Sequence, residues 1–380
     1  MRPKKMLPVP ADDAYSGAPA SSPRPSPGAR AADTPRVLLI AALYNLPYMV
    51  LRCATAAGAN VIVLGAAEAR GLRHSSHCFH FIPAGSPIDA CTNPALIAEI
   101  NRAVSEFSID LVAAGDTPST RSLATISHAL NAPCFPLPSP DTFDLLNDKW
   151  RFTQLCNSMG IRCPESRFFS HADRLRDECR GGGLQFPFVA KPINQEASRG
   201  VIYLSNENWR RQLRKISYSP IITQDHIGGI DIGSSIFCRN GEIEAFLVHR
   251  YSRGAYTAYD EPEIHQTIEK LVRRLRLTGV YNFDMKLADN GDVYYLECNP
   301  RAFYKIAMSM LAGINFIALG LPWRRAAETG SLAKPVTIRF PQALLLPPWK
   351  FDDAARRGLD FVLQDPVPYL RERFGLERGR

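Results

Sequence analysis

The sequence lacks the features by which membrane, secreted and disulfide-bonded proteins are recognised. Its longest apolar runs, residues 37–43 and 61–67, are far shorter than the roughly 20 residues that a helix needs to span a bilayer. The N-terminus has no apolar segment typical of a secretory signal. The nine cysteines are an odd number without a CxxC pair, which favours reduced thiols over a disulfide framework. These absences predict a cytoplasmic protein without a membrane partner.

Concentrated positive charge is also missing. The formal net charge is +8, but the lysines and arginines are dispersed along the chain. The short basic clusters, such as residues 371–380, are typical of solvated helix faces rather than of a nucleic-acid surface. We therefore predict no nucleic-acid partner. A binding site for small anions explains part of the excess charge equally well.

The order of the apolar segments predicts a tail followed by an α/β region. Residues 1–33 are rich in Pro, Ala and Ser and have almost no large apolar side chains, which predicts disorder. Residues 34–138 alternate short buried strands with helices, a pattern typical of a parallel sheet covered on both faces. The GxGxxG fingerprint is missing after the first strand, where residues 41–45 read Ala-Ala-Leu-Tyr-Asn. This region therefore resembles a Rossmann-like layer that does not bind NAD, and an NAD-dependent oxidoreductase is disfavoured.

From Ser139 onward the pattern changes to α+β, because strands of alternating polarity are interspersed with helices, the first of them a long one over residues 146–159. Two of these strands, residues 281–287 and 293–298, are joined by Asp-Asn-Gly-Asp, which is a strong hairpin signal. A C-terminal extension, residues 331–380, adds one more strand and one helix. The predicted fold class is thus α/β followed by α+β.

The hairpin carries a candidate metal site. Asp284 lies on its first strand, and Glu297 and Asn299 lie two residues apart on its second, so the three side chains can share one face. Two carboxylates and an amide oxygen are hard ligands that suit Mg²⁺ bound to phosphate oxygens. Arg301 follows directly and can contact a phosphate or a carboxylate through two N–H groups. The alternative is a pair of unrelated surface acids beside a hairpin.

A second candidate segment begins at Lys191, which emerges from an apolar strand. A loop of small and polar residues follows, including Ser198 and Gly200, and then the chain returns as a strand. Such a loop can hold a polyphosphate, with Lys191 supplying the charge and Ser198 and backbone N–H groups binding the oxygens. Gly200 lets the backbone approach the ligand closely. The alternative is an ordinary hairpin with a polar loop.

A third segment, residues 221–231, is an apolar strand that runs into a polar linker and a second strand. Gln224 can bind the amino group of a purine, and the backbone from Asp225 to Ile227 can pair with the edge of the base. Asp231 can accept hydrogen bonds from ribose hydroxyls. The segment therefore predicts an adenosine site.

In this order the segments resemble the ATP-grasp superfamily, in particular its single-module ligases related to the carbamoyl-phosphate synthetase large subunit. The resemblance implies a Rossmann-like pre-ATP-grasp domain over residues 34–138. A two-subdomain ATP-grasp fold follows over 139–330, with a lid at about 187–230. The departures are Gln224, where the family more usually has Glu, Asp231 and Asp284, which are one methylene shorter than the Glu versions, and a phosphate loop with few glycines. The matching residues, in chain order, are Lys149 of Asn147-Asp148-Lys149, Lys191, Gln224, Asp231, Asp284 and Glu297-Cys298-Asn299-Pro300-Arg301.

The resemblance also implies the chemistry. Such enzymes use ATP with Mg²⁺ or Mn²⁺ to activate a substrate carboxylate as an acylphosphate, which an amine then attacks. It implies phosphate contacts by Lys149 and Lys191 and catalytic contributions from Lys191 and Arg301. Arg250 is a further catalytic candidate because of its position in the chain. Arg250 ends a strand predicted to face the nucleotide cleft, and the alternative for it is an exposed basic loop. The implied partners are small carboxylate and amine substrates, and a homodimer is compatible with them. An ATP-grasp phosphotransferase and a regulatory module without turnover stay open as alternatives.

Other conspicuous residues have weaker interpretations. His74, His77, Cys78 and His80 are crowded together, but their spacing does not fit a standard zinc site. We expect this segment to connect two elements of the first domain. Asp116 follows a predicted strand, at the edge where ligands of parallel sheets bind, and is a candidate substrate contact.

Overall fold

The computed structural model describes residues 34–89, 93–196, 199–323, 330–339 and 351–373, and the predicted tail of residues 1–33 lies outside them. The strands are β1 (Arg36–Ala41), β2 (Asn60–Gly65), β3 (Cys78–Pro83), β4 (Leu111–Ala114), β5 (Ser166–Phe169), β6 (Phe188–Pro192), β7 (Ile202–Leu204), β8 (Ile221–Asp225), β9 (Ile230–Arg239), β10 (Glu242–Ser252), β11 (Ala255–Tyr259), β12 (Gly279–Leu287), β13 (Val293–Asn299) and β14 (Val336–Arg339). The α-helices are α1 (Asn45–Ala56), α2 (Pro94–Phe107), α3 (Thr117–Ile126), α4 (Pro140–Asn147), α5 (Lys149–Ser158), α6 (Ala172–Gly181), α7 (Trp209–Leu213), α8 (Pro262–Leu275), α9 (Ile306–Ala312), α10 (Phe316–Gly320), α11 (Asp353–Leu363) and α12 (Pro366–Arg373), with 3-10 turns at Ala67–His74 and Ser127–Ala129.

The first sheet has the order β3-β2-β1-β4, and all of its pairs are parallel. Every residue of β1 is buried, because its successive side chains point to opposite faces of the sheet and enter a different apolar core on each face. The predicted α/β layer is therefore confirmed. The expectation that the histidine-rich segment connects two elements holds for residues 75–77, between the 3-10 turn and β3, but is wrong for Cys78 and His80, because Cys78–Pro83 pairs with β2 as the edge strand β3.

The second sheet is antiparallel, with the order β13-β12-β9-β10-β11-β14. Strand β12 explains its two faces. Tyr281, Phe283 and Met285 point into a core with α5 and α8. Val280 lies on the opposite face and is buried with α9 and α10. Further along that second face the strand carries polar residues up to Lys286. One face of the sheet is therefore apolar, and the opposite face is polar near the C-terminal end of β12.

The third sheet, β5-β8-β6-β7, is small and packs its apolar residues with α6 and α7. It occupies the region predicted as a lid, but it begins at Ser166 rather than near residue 187, because β5 pairs with β8. β5 has two exposed residues out of four and therefore lacks the apolar run that marks a strand in sequence.

The C-terminal segment does not stand apart from the rest. β14 pairs with β11 at the edge of the second sheet, and α11 packs beside it. The ring centre of Phe361 on α11 lies 3.8 Å from the guanidinium carbon of Arg52 in the first domain. Among the described residues no helix is long and apolar enough to cross a membrane.

Candidate active site

The polar end of the second sheet holds the predicted metal ligands side by side. The pairing of β12 with β13 places Asp284 opposite Glu297 and Asn282 opposite Asn299. Asn299 Nδ2 donates to one carboxylate oxygen of Asp284 at 3.0 Å, and Asn282 Nδ2 donates to the other at 3.0 Å. A register shift follows Asp284, so the strand is irregular next to the site.

The two carboxylates are electrostatically opposed. Desolvation, together with Glu297 beside it, raises the pKa of Asp284 to about 7. Burial also acts to raise the pKa of Glu297, but Lys149 and Lys191 outweigh it and hold that pKa below its usual value. Two acids in contact with unequal proton affinity are what a divalent cation would stabilise, since it would neutralise both.

Lys149 reaches this pair from the first turn of α5. The predicted continuous helix over residues 146–159 is broken in two at Asp148, whose side chain accepts hydrogen bonds from Trp150 N and Arg151 N and so starts a new helix. Lys149 is buried, and its Nζ lies 3.2 Å from Glu297 Oε2. The same Nζ donates to the carbonyl of Gln195 at 2.8 Å.

Lys191 approaches the carboxylates from β6 of the small sheet. Its Nζ donates to Gln224 Oε1 on β8 at 2.7 Å. Burial lowers the pKa of Lys191, with Lys149 acting in the same direction and Glu297 against it. The structure thus brings Lys149, Lys191, Asp284 and Glu297 into one electrostatic cluster, although they come from three separate parts of the chain.

The linker predicted to bind adenine is partly engaged within the protein. The backbone N–H of Asp225 donates to Glu165 O at 2.9 Å, and that of His226 donates to Pro187 O at 3.2 Å. Ile227 is half-buried in the exposed linker that follows. The backbone N–H of Asp225 is therefore already engaged within the protein, and base pairing by Ile227 stays a prediction. The adenine role of Gln224 stays a prediction, since its side-chain oxygen is engaged by Lys191.

Asp231 lies within electrostatic range of Lys191, and Gly200 lies in the loop that follows Lys191. Asp231 is exposed and forms an ion pair with Lys286 at 2.9 Å across β9 and β12. Gly200 has φ of +72°, and a Cβ there would stand 3.0 Å from the ring of Tyr218, so the loop needs glycine at this position. Ser198 lies outside the described residues.

Arg301 is buried beside Asn299 and has an unexpected partner. Its Nη2 lies 3.0 Å from Asn299 Oδ1 and 2.8 Å from Glu196 Oε2. Thr117 Oγ1, at the start of α3, donates to the same Glu196 oxygen at 2.5 Å. The predicted phosphate loop therefore connects the second sheet to the first domain through Glu196.

Arg250 is not brought to this cluster. It pairs with Ile232, whose partner on β12 is Met285, so the register places Arg250 on the face opposite Asp284. We therefore leave it out of the site. Lys305 lies closer instead: burial lowers its pKa, and Asp284 and Asp231 act against this shift.

The structure also decides the remaining candidates. Asp116 is buried and accepts hydrogen bonds from Ala42 N and Leu43 N at 2.7 Å and from Ser119 Oγ at 2.7 Å. It caps α3 and holds the turn after β1, so it is a structural residue rather than a substrate contact. Within the described ranges no group of three His, Cys, Asp or Glu residues can hold a metal, and this includes the histidine-rich segment.

Three residues of the site are not among those that the sequence predicts. The sequence contains a signal for Asn282, because it lies two residues before Asp284 and therefore on the same face. Glu196 lies in the predicted phosphate loop, but the sequence does not show that it meets Arg301. Lys305 has no sequence signal, since only the packing of the segment after β13 brings it to the site.

Comparison of the sequence with known proteins gives related enzymes. Residues 219–339 match a family described as ATP-grasp in the biosynthetic pathway with Ter operon. The chain is 29% identical over 295 residues to the carbamoyl phosphate synthase large chain of Xanthomonas campestris pv. campestris, covering 67% of this chain and 26% of that protein. It is 23% identical over 203 residues to the multifunctional protein URA2 of Saccharomyces cerevisiae, covering 48% and 9%. The chain thus spans about a quarter or less of the length of these two relatives.

Solved structures share the fold. An L-amino acid ligase from Bacillus licheniformis has a TM-score of 0.58 and 18% identity, with 76% of this chain and 73% of that chain covered. A carboxyaminoimidazole ribonucleotide synthase from Aspergillus clavatus, complexed with ATP, has a TM-score of 0.61 and 16% identity, with 81% and 82% covered. At these identities the likeness establishes the fold alone.

Proposed function

We propose that this chain, an ATP-grasp protein related to the carbamoyl phosphate synthase large chain, is an ATP- and Mg²⁺-dependent ligase that joins a carboxylate to an amine. The observation that carries the proposal is the convergence of two lysines and two carboxylates on one end of a sheet. Within this cluster Lys149 Nζ lies 3.2 Å from Glu297 Oε2, and Lys191 acts on the same carboxylate from the small sheet.

The donor set fits a divalent cation. Asp284 and Glu297 supply carboxylate oxygens and Asn299 supplies an amide oxygen, which are the hard ligands that Mg²⁺ or Mn²⁺ takes. The raised pKa of Asp284 is consistent with this assignment, because desolvation and the neighbouring Glu297 disfavour its charged form, which a cation would stabilise. When bound, the cation would neutralise phosphate charge and orient the phosphate oxygens.

The nucleotide would be held by groups around the cation. We assign phosphate contacts to Lys149 and Lys191, whose ammonium groups already face Glu297. We assign the base to Gln224 and the backbone of Ile227, and the ribose hydroxyls to Asp231. The ion pair that Asp231 forms is exposed, so a ribose hydroxyl can replace it at little cost.

The reaction that this arrangement supports has two steps. A carboxylate oxygen of the acid attacks the terminal phosphorus of ATP, the bond to the bridging oxygen breaks, and ADP leaves. The amine then attacks the acyl carbon, phosphate leaves with the bonding electron pair, and the amine nitrogen loses a proton. Lys191 and Arg301 act by positioning the reactants and neutralising charge. Cytoplasmic location and a homodimer remain predictions from the sequence.

The proposal is tested by ADP release from Mg-ATP in the presence of pooled carboxylic acids and amines. A ligase releases ADP only when a suitable acid is present, and hydroxylamine traps its activated acid as a hydroxamate. An ATP-grasp phosphotransferase acting on a hydroxyl would release ADP without any hydroxamate. ATP binding without acid-stimulated ADP release in any pool would contradict the ligase activity.

A further inference from the structure

Arg301, to which the proposed function assigns a role in positioning the reactants, forms an ion pair with Glu196. Glu196 Oε2 lies 2.8 Å from Arg301 Nη2 and accepts a hydrogen bond from Thr117 Oγ1 at 2.5 Å. Its neighbour Gln195 offers a carbonyl to Lys149 Nζ at 2.8 Å. Residues Gln195 and Glu196 therefore bind the side chains of Lys149 and Arg301, both of which the proposed reaction needs.

A small apolar cavity adjoins Arg301. Its volume is about 20 Å³, and it lies between the carboxyl end of β4 and the start of β12. On the same measure one water needs roughly 10–15 Å³, so the cavity has room for one or two heavy atoms. Its lining is almost wholly apolar, and includes Val50, Ala113, Ala114, Phe135, Val280 and Ile317.

Arg301 retains binding capacity at this cavity. It lines the cavity, it is 8% exposed, and its Nε has no hydrogen-bond partner among the described residues. A buried guanidinium N–H without a partner is costly, and a ligand carboxylate would satisfy it. Thr120, one turn after Thr117 on α3, also lines the cavity.

We propose that the carboxylate of Glu196 occupies the binding site of the substrate acid, formed by Arg301 and Thr117, and that the cavity admits a side group of one or two carbons. The inference rests on the proposed function and adds the class of acid: a small aliphatic carboxylic or amino acid. Glu196 is then an internal competitor, because one guanidinium edge and one hydroxyl bind a single carboxylate.

The first experiment removes the competitor. In Glu196→Gln the apparent KM for the acid is expected to fall, while the KM for ATP changes little. If Glu196 holds the site in nine molecules of ten, the fall is about tenfold. The assay follows ADP release with hydroxylamine as the common nucleophile and acetate, propionate, glycine or L-alanine as the acid. Glu106→Gln, on an exposed face of α2, is the matched control and should leave both constants unchanged.

The second experiment tests the binding groups. Thr117→Val should raise the KM for the small acids, and Thr117→Ser should restore it, because the hydroxyl is the binding group. Ala114→Val narrows the cavity and should impair L-alanine and propionate more than glycine and acetate. L-Leucine and L-phenylalanine should be poor substrates of the unmodified protein.

The outcomes separate this inference from the function on which it rests. If an ATP analogue binds but no small acid gives a hydroxamate in either the unmodified protein or Glu196→Gln, the acid class is wrong. If small acids react but Glu196→Gln and Thr117→Val leave their KM unchanged, Glu196 does not occupy the acid site. Failure to bind ATP at all would instead refute the proposed function.

Discussion

Arg52 and Arg301 are both buried arginines, but their surroundings differ. Arg52 donates to Phe361 O at 2.8 Å and to Tyr48 Oη at 3.0 Å, and it stacks on the ring of Phe361. Arg301 shares its Nη2 between two acceptors and leaves its Nε without a partner among the described residues. The first is satisfied by the fold, and the second retains capacity for a ligand.

The carboxylates near these two arginines differ in the same way. Asp365 accepts hydrogen bonds from Ser75 Oγ and Ser76 N, at 2.5 Å and 2.9 Å, which fix the C-terminal helices to the first domain. Asp284 accepts from two amides, yet its pKa is raised to about 7 by desolvation and by Glu297. Structural charge clusters are thus satisfied internally, whereas the proposed site keeps an electrostatic imbalance that a ligand can relieve.

The largest effect is expected for Asp284→Asn. The substitution keeps the size of the side chain but removes a metal-binding carboxylate, so kcat/KM should fall on the order of a hundred- to a thousandfold. The melting temperature should be unchanged or higher, since the opposed carboxylates are relieved. Steady-state ADP release and thermal unfolding check the two parts. Unaltered turnover would show that the metal site is elsewhere.

For Arg52→Met we expect a loss of stability without a loss of activity. Loss of charged hydrogen bonds to Phe361 O and Tyr48 Oη should lower the free energy of unfolding by about 2–3 kcal/mol. The kinetic constants of the folded protein should stay within about twofold, because within the part of the chain that the structure describes Arg52 shares no partner with the residues of the site. Denaturant unfolding and ADP release measure both. A catalytic defect without a loss of stability would break the comparison.

A smaller effect is expected on the pH dependence of stability and nucleotide affinity, through Lys191. Because burial lowers its pKa, the folded protein binds fewer protons than the unfolded chain in the window just below the ordinary lysine pKa. Stability therefore gains a contribution as pH rises through that window, and nucleotide affinity falls as the ammonium is lost. Lys191→Met should remove this part of the stability profile. Parallel profiles for the two proteins would show that Lys191 titrates normally.

The smallest effect is expected for Asp231→Asn. Its ion pair with Lys286 is exposed, so stability should change by less than about 1 kcal/mol. The KM for ATP should rise several-fold if Asp231 accepts from the ribose hydroxyls. Lys286→Met, which removes the other partner of the same pair, is the control. Equal KM values for both variants would assign the effect to the ion pair rather than to the ribose.

The local sequence is informative where a single periodicity decides the structure. The turn and the alternation of the β12–β13 hairpin predict it, and the register of Asp284 with Glu297 follows from the same two features. The parallel sheet is predictable because its strands are apolar throughout. Strand β5 escapes prediction because half of its residues are exposed, and the helix predicted across Asp148 is two helices in the structure.

By itself, the sequence determined the order of most strands and helices, the hairpin with its carboxylates and the lysines of two further segments. Only the tertiary structure decided that Glu196 meets Arg301 and Thr117, that Lys305 lies near Asp284, and that Arg250 faces away. The physical reason is that alternation fixes the face of a strand on which a side chain lies. Which other segments cover that face depends on packing between elements distant in the chain.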